Sequence, residues 1–71
     1  MPIVIDPGIA RGKPVIQGTR VPVATVLEQL AAGLPVDDLV RDFGITVQDV
    51  RDALAYAGEL VNEAQVYPLP G

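Results

Sequence analysis

The chain has no cysteine and no histidine among its 71 residues, so neither a disulfide nor a familiar zinc site can staple it. A domain this short buries proportionally little of its surface, and its own core is marginal. With those staples excluded, the device left is association with a second copy or with a partner. No apolar run reaches the roughly 18 residues of a membrane span. Met1-Pro2 leads into a strand-like segment rather than a basic region and an apolar signal core, so a cytoplasmic protein with no membrane role is expected. The groups of catalysis are equally scarce. Asp38 with Asp42, and Asp49 with Asp52, share helix faces, but without a third converging ligand each pair reads as a solvated acidic face. GKPVIQGTR lacks the spacing and the strand-to-helix context of a phosphate loop. No enzyme activity, metal or cofactor is expected.

What is present is uneven charge. The formal net charge is −4, yet between Pro7 and Leu27 the only charged residues are Arg11, Lys13 and Arg20. The rest sets nine acids against Arg41 and Arg51. A basic arm is thus joined to an acidic body, which points to a contact role for the arm.

The 71 residues read as one domain, with short strands and the basic arm over 3–21, helices over 22–33, 35–43 and 47–63, and a tail over 65–71. Ile3-Val4-Ile5 is a β-branched run closed by the turn residues Asp6-Pro7-Gly8. Val15-Ile16 and Thr19-Arg20-Val21 flank Gly18 as two very short strands, a hairpin that must lie on the helices or pair with another chain. Pro22 suits a first helical position, and Val23, Val26, Leu27, Leu30, Ala31 and Leu34 line one face up to a stop at Gly33. Leu34-Pro35 opens the second helix without a side-chain cap, and Asp37 and Asp38 compensate through the helix dipole.

The segment from Asp37 to Ala57 carries the strongest local signals. Val36, Leu39, Val40 and Phe43 form one apolar stripe, and Val47, Val50, Leu54 and Ala57 another, on either side of Gly44. Gly44 is placed to end a helix in the left-handed region. Thr46 and Asp49 are spaced as a reciprocal capping box, and Ile45 and Val50 as a hydrophobic staple. The third helix runs roughly 25 Å at 1.5 Å per residue, further than two short helices can cover. Leu60 or Val61 is therefore expected to be buried against a second copy or a partner, and Val66, Tyr67 and Leu69 of the tail are candidates for a neighbour's groove.

Helix, turn and helix also raise DNA binding. On the exposed start of the third helix Gln48 and Arg51 could read bases, but Asp49 and Asp52 beside them would face phosphates. If operator DNA is the ligand, Arg11, Lys13 and Arg20 must supply most phosphate contacts, from a dimer.

IDPGIARGKPVIQGTRVPVATVLEQLAAGL, followed by DDLVRDFGITVQDVRDALAYA, closely resembles the domain-of-unknown-function family numbered 433 over Ile3 to about Ala57. The stretch GKPVIQGTRVPV is its most specific part. Where that family's second helix usually opens with a serine-like cap and two acids, this chain has Pro35-Val36 before Asp37-Asp38. The resemblance implies a mainly α fold: a three-helix homeodomain-like helix-turn-helix bundle with a short N-terminal β-hairpin element. It also implies an antitoxin, since members are commonly regarded as such and are often encoded beside a PIN-like ribonuclease. Such a nuclease holds Mg²⁺ in a carboxylate pocket that Arg or Lys can fill. On that reading Arg11, Lys13 and Arg20 are candidate plugs, with Leu60, Val61 and Tyr67 as further contacts. The alternative is that Thr19 and Arg20 only order the hairpin while the third helix and tail cover the nuclease.

Overall fold

The computed structural model describes residues 2–63. The chain is a mainly α, three-helix bundle preceded by a two-stranded antiparallel element: β1 (Ile3–Val4), β2 (Val15–Ile16), α1 (Val23–Ala31), α2 (Val36–Phe43) and α3 (Val47–Glu63). The sequence-based candidates from Ala64 onward, Val66, Tyr67 and Leu69, lie outside the described residues.

The sheet differs from the expected pairing. β2 pairs with β1, Ile3 opposite Ile16 and Val4 opposite Val15, while the leg after Gly18 is joined to β2 by the Ile16 N–H donating to Val21 O at 3.0 Å and by an isolated bridge between Val15 and Pro22. Thr19 is the reason the second ladder stops. Its N–H and its hydroxyl both donate to Ile16 O, at 3.0 and 2.8 Å. Its Oγ1 accepts the Val21 N–H at 3.0 Å, so that donor never reaches Ile16. Pro22, which has no N–H to offer, occupies a position where the ladder needs none. It caps α1 from outside rather than entering the helix. The Val23 N–H, an orphan of the first helical turn, donates to Pro14 O at 3.0 Å instead.

Both interhelical connections are closed by a left-handed glycine. Gly33 has φ 93°, and the Leu34 N–H returns to Gln29 O at 3.0 Å. Gly44 has φ 65° and ψ 33°, and the Ile45 N–H returns to Val40 O at 3.2 Å. These six-residue closures satisfy carbonyls that the helix would otherwise leave bare. Replacing Gly44 by alanine puts a Cβ into that region and is expected to cost about 1 kcal/mol, read as a lower urea midpoint with an unchanged slope.

Beyond Gly44 the capping box forms in both directions. The Asp49 N–H donates to Thr46 Oγ1 at 3.0 Å, and the Thr46 N–H donates to Asp49 Oδ2 at 3.0 Å. Ile45 and Val50, one before and one after the box, are both buried. They bring the start of α3 onto a core of Ile3, Ile16, Val23, Val26, Leu39 and Ala53, with Leu27, Leu30, Val40, Phe43 and Tyr56 packed round it.

The apolar stripe of α3 is rotated from the expected one. Val50 and Ala53 are buried, but Val47 and Leu54 are 44% and 48% exposed. Apolar residues occupy several sides of this helix, and the alanine face goes inward because a small side chain allows α1 and α2 to approach closely. Among the described residues no helix is long and apolar enough to cross a membrane.

Candidate functional site

The basic arm is two separate features. Asp6 starts the first by accepting the Gly8 N–H on Oδ1 at 2.8 Å, and its carbonyl accepts the Ile9 N–H at 2.9 Å. Ala10, Arg11 and Gly12 then follow with φ of 50, 58 and 80°. The Gly12 and Lys13 N–H groups close on Ile9 O and Ala10 O at 3.0 and 3.1 Å. This is one turn of left-handed 3-10 helix. Each non-glycine residue in it costs about 1–2 kcal/mol, so the turn is held by its bonds and not by preference. Ala10→Gly relieves part of that strain, less glycine's own entropic cost of about 0.5–1 kcal/mol. The expected result is a net gain of about 0.5–1 kcal/mol by urea titration.

Arg11 and Lys13 are both exposed on this turn. Arg20, also exposed, stands at the other end of the sheet. With Val15 opposite Pro22, Lys13 and Arg20 lie about four strand steps apart, roughly 13 Å at 3.3 Å per residue. Arg11 and Lys13 therefore share one backbone turn, and Arg20 leaves the chain at another. None of the three forms an ion pair among the described residues, where the ion pairs are those of Arg41 with Asp38 and Asp42, at 2.9 and 3.4 Å. These are exposed and contribute little to stability.

Four acids of α2 and α3 have local side-chain or backbone partners. Asp38 and Asp42 hold Arg41, Asp49 caps α3, and Asp52 accepts the Gln48 amide at 3.0 Å. No group of three or more acids suited to a metal occurs among the described residues. Gln48 is thus engaged with Asp52, whereas Arg51 is exposed on α3.

A groove of about 260 Å³ runs between α1 and α3. Val23, Ala24 and Leu27 form one wall and Tyr56, Ala57 and Leu60 the other, with Lys13 and Pro14 at the rim. The sequence reading singled out Lys13 and Leu60 for separate reasons, and the fold sets them on one site. It missed Tyr56, whose signal was its spacing: Tyr56 and Leu60, four apart, face Val23 and Leu27, also four apart. Val61, 69% exposed, is not part of the groove lining.

Comparison with known proteins supplies the relationship. The family model described as "Protein of unknown function (DUF433)" matches residues 3–57. The chain is 42% identical over 52 residues to "Putative antitoxin VapB45" of Mycobacterium tuberculosis, covering 73% of this chain and 22% of that protein. It is 33% identical over 54 residues to "Uncharacterized protein Rv2308" of the same organism, covering 76% of this chain and 23% of that one. This chain therefore spans less than a quarter of either mycobacterial relative. Among solved structures, a DUF433 member from Anabaena variabilis superposes with a TM-score of 0.78 at 32% identity, over 87% of this chain and 62% of that one. Rv2018 from M. tuberculosis superposes with a TM-score of 0.67 at 42% identity, over 73% and 24%. A family match over 3–57 that takes in both strands, the left-handed turn, α1, α2 and most of α3 shows that the chain belongs to the DUF433 family.

Proposed function

We propose that this chain is a non-enzymatic antitoxin module, a homeodomain-like helix-turn-helix protein that binds and masks a PIN-like ribonuclease encoded beside it. The observation that carries the reading is the 42% identity, over 73% of this chain and 22% of the relative, to "Putative antitoxin VapB45". The exposed Arg11, Lys13 and Arg20 support it, because a nuclease pocket built of metal-binding carboxylates attracts guanidinium or ammonium groups when the metal is displaced. Co-expression with the adjacent gene product and a ribonuclease assay test it. The two chains are expected to copurify, and cleavage to fall to background at equal stoichiometry. Full nuclease activity in excess of this chain overturns the reading.

The module works as a homodimer. Val47, Leu54 and Val61 recur every seventh residue along α3 and are 44, 48 and 69% exposed. This stripe is symmetric about Leu54, as a two-fold antiparallel helix pair requires, with Val47 of one copy beside Val61 of the other. At 100° per residue, Asp49, Asp52, Glu59 and Glu63 fall about 140–220° round the helix from Leu54, so the copies meet without opposing their acids. Sedimentation equilibrium should show a dimer that Leu54→Glu converts to monomer. Because Leu54 is half exposed in the single chain, that variant leaves the fold of each copy intact.

A second reading, operator binding by α3, is favoured by the three-residue turn between α2 and α3 and by exposed Arg51. Salt separates the two. DNA affinity falls by about 0.9 log unit per log of salt for each phosphate neutralised, while masking through apolar area survives moderate salt.

A further inference from the structure

We infer that the α1–α3 groove receives an acidic amphipathic helix of a partner protein, with apolar side chains between Val23, Leu27, Tyr56 and Leu60 and a carboxylate on Lys13. The inference rests on the reading of this chain as a protein-binding module, but not on the identity of the nuclease. At about 30 Å³ per water, 260 Å³ holds roughly nine waters. That lies below the roughly 300–1,000 Å³ of small-molecule pockets and suits inserted side chains instead.

The occupant is a helix because the walls are two helices whose backbone groups bond internally. An extended peptide would bring N–H and C=O groups into a groove with almost nothing to pair them, whereas a helix satisfies its own. Val23 with Leu27, and Tyr56 with Leu60, are ridges of residues four apart, the geometry into which a third helix interdigitates. The occupant is acidic because Lys13 is, among the described residues, the one charged member of the lining. Arg11, two residues earlier on the same turn, has no ion-pair partner among the described residues.

The chain's own segments fit poorly by the same chemistry. Residues 64–71, AQVYPLPG, contain no acid and carry two prolines, which oppose a helix. The apolar face of α2 is committed to the core through Leu39. The outer stripe of α3 is flanked by Arg51, which would meet Lys13 with like charge.

The test is selection of helix-forming peptides from a library on the full-length chain. Leucine, isoleucine or methionine four apart, with aspartate or glutamate beside them, is the expected consensus. Lys13→Glu should reverse the selected charge to lysine or arginine, and Leu60→Ser should weaken the selected peptide by about tenfold or more. Ile5→Ser, at an exposed side chain off both the groove and the α3 stripe, should leave it unchanged. No enrichment, or a consensus indifferent to Lys13→Glu, overturns the inference. So does enrichment that appears only when Val66, Tyr67 and Leu69 are all replaced by serine, which would make the tail the occupant. A wild-type dimer that Leu60→Ser dissociates would give the groove to a second copy and overturn it as well. Selection of the acidic helix with no effect on the ribonuclease would leave the groove standing and remove the nuclease. Masking of the ribonuclease with no selection would do the reverse.

Discussion

Leu39→Ala is expected to remove about 3–5 kcal/mol of stability, the upper part of the range for emptying a well-packed core site. Leu39 is 0% exposed and sits on α2, the shortest of the three helices, inside the cluster that joins β1, β2, α1 and α3. The neighbours that would have to collapse into the void are held from several directions. Ile45 is fixed by the Gly44 turn, Val50 by the Thr46–Asp49 box, and Ile16 by the sheet. Relaxation is therefore small and most of the cavity cost remains. A chain of 71 residues is expected to hold roughly 4–10 kcal/mol in all, so this change takes about a third of it or more. Thermal melting followed by far-ultraviolet circular dichroism should show a midpoint lowered by about 10 °C or more. Leu54→Ala, at a site half exposed in the single chain, should stay within about 1 kcal/mol of wild type when both are measured as dilute monomers. Equal effects at the two positions would show that the rotation of α3 described above is wrong.

If the chain masks a ribonuclease as proposed, Arg20→Glu is expected to lower affinity for it about a hundredfold or more. Truncating one partner of a desolvated charge pair costs about 2–5 kcal/mol, and reversal adds repulsion. The size of the effect follows from the spacing of the cations. Arg20 stands roughly 13 Å from Lys13 along the sheet, whereas the metals of a two-metal site are only about 3.5–4 Å apart. The two ends of the arm therefore leave the backbone at separate places. Lys13 belongs to the lining of the α1–α3 groove, and on the proposed antitoxin reading Arg20 is the candidate plug. Lys13→Glu should accordingly weaken binding less, by about tenfold. Calorimetric titration of the folded variants decides the matter, and unchanged affinity of Arg20→Glu removes that side chain from the mechanism. The hairpin itself should survive the change, since Thr19, not Arg20, makes its side-chain hydrogen bonds.

How much of this was legible in the sequence depends on the span of each interaction. The glycine stop at Gly44, the reciprocal bonds of Thr46 and Asp49, and the staple of Ile45 and Val50 each involve residues no more than five apart. Their geometry is fixed by local backbone chemistry whatever the rest of the chain does. The same holds for the absence of a side-chain cap at Pro35. The expected pairing of Val15-Ile16 with 19–21 is cut to one hydrogen bond and one bridge for a local reason that spacing alone does not reveal: the Thr19 hydroxyl takes the Val21 N–H.

The sequence by itself determined the end of α2, the start of α3 with the turn between them, and the excess of cations near the N-terminus, because these are short-range or compositional properties. Tertiary packing decided which side of α3 faces inward, and chose Ala53 over Leu54 because close approach of three helices favours the smaller side chain. It also separated Arg20 from Arg11 and Lys13, and set Lys13 beside Tyr56 and Leu60 across the groove. No local signal can specify such neighbours, since they are more than 40 residues apart in the chain and meet only when α1 and α3 pack.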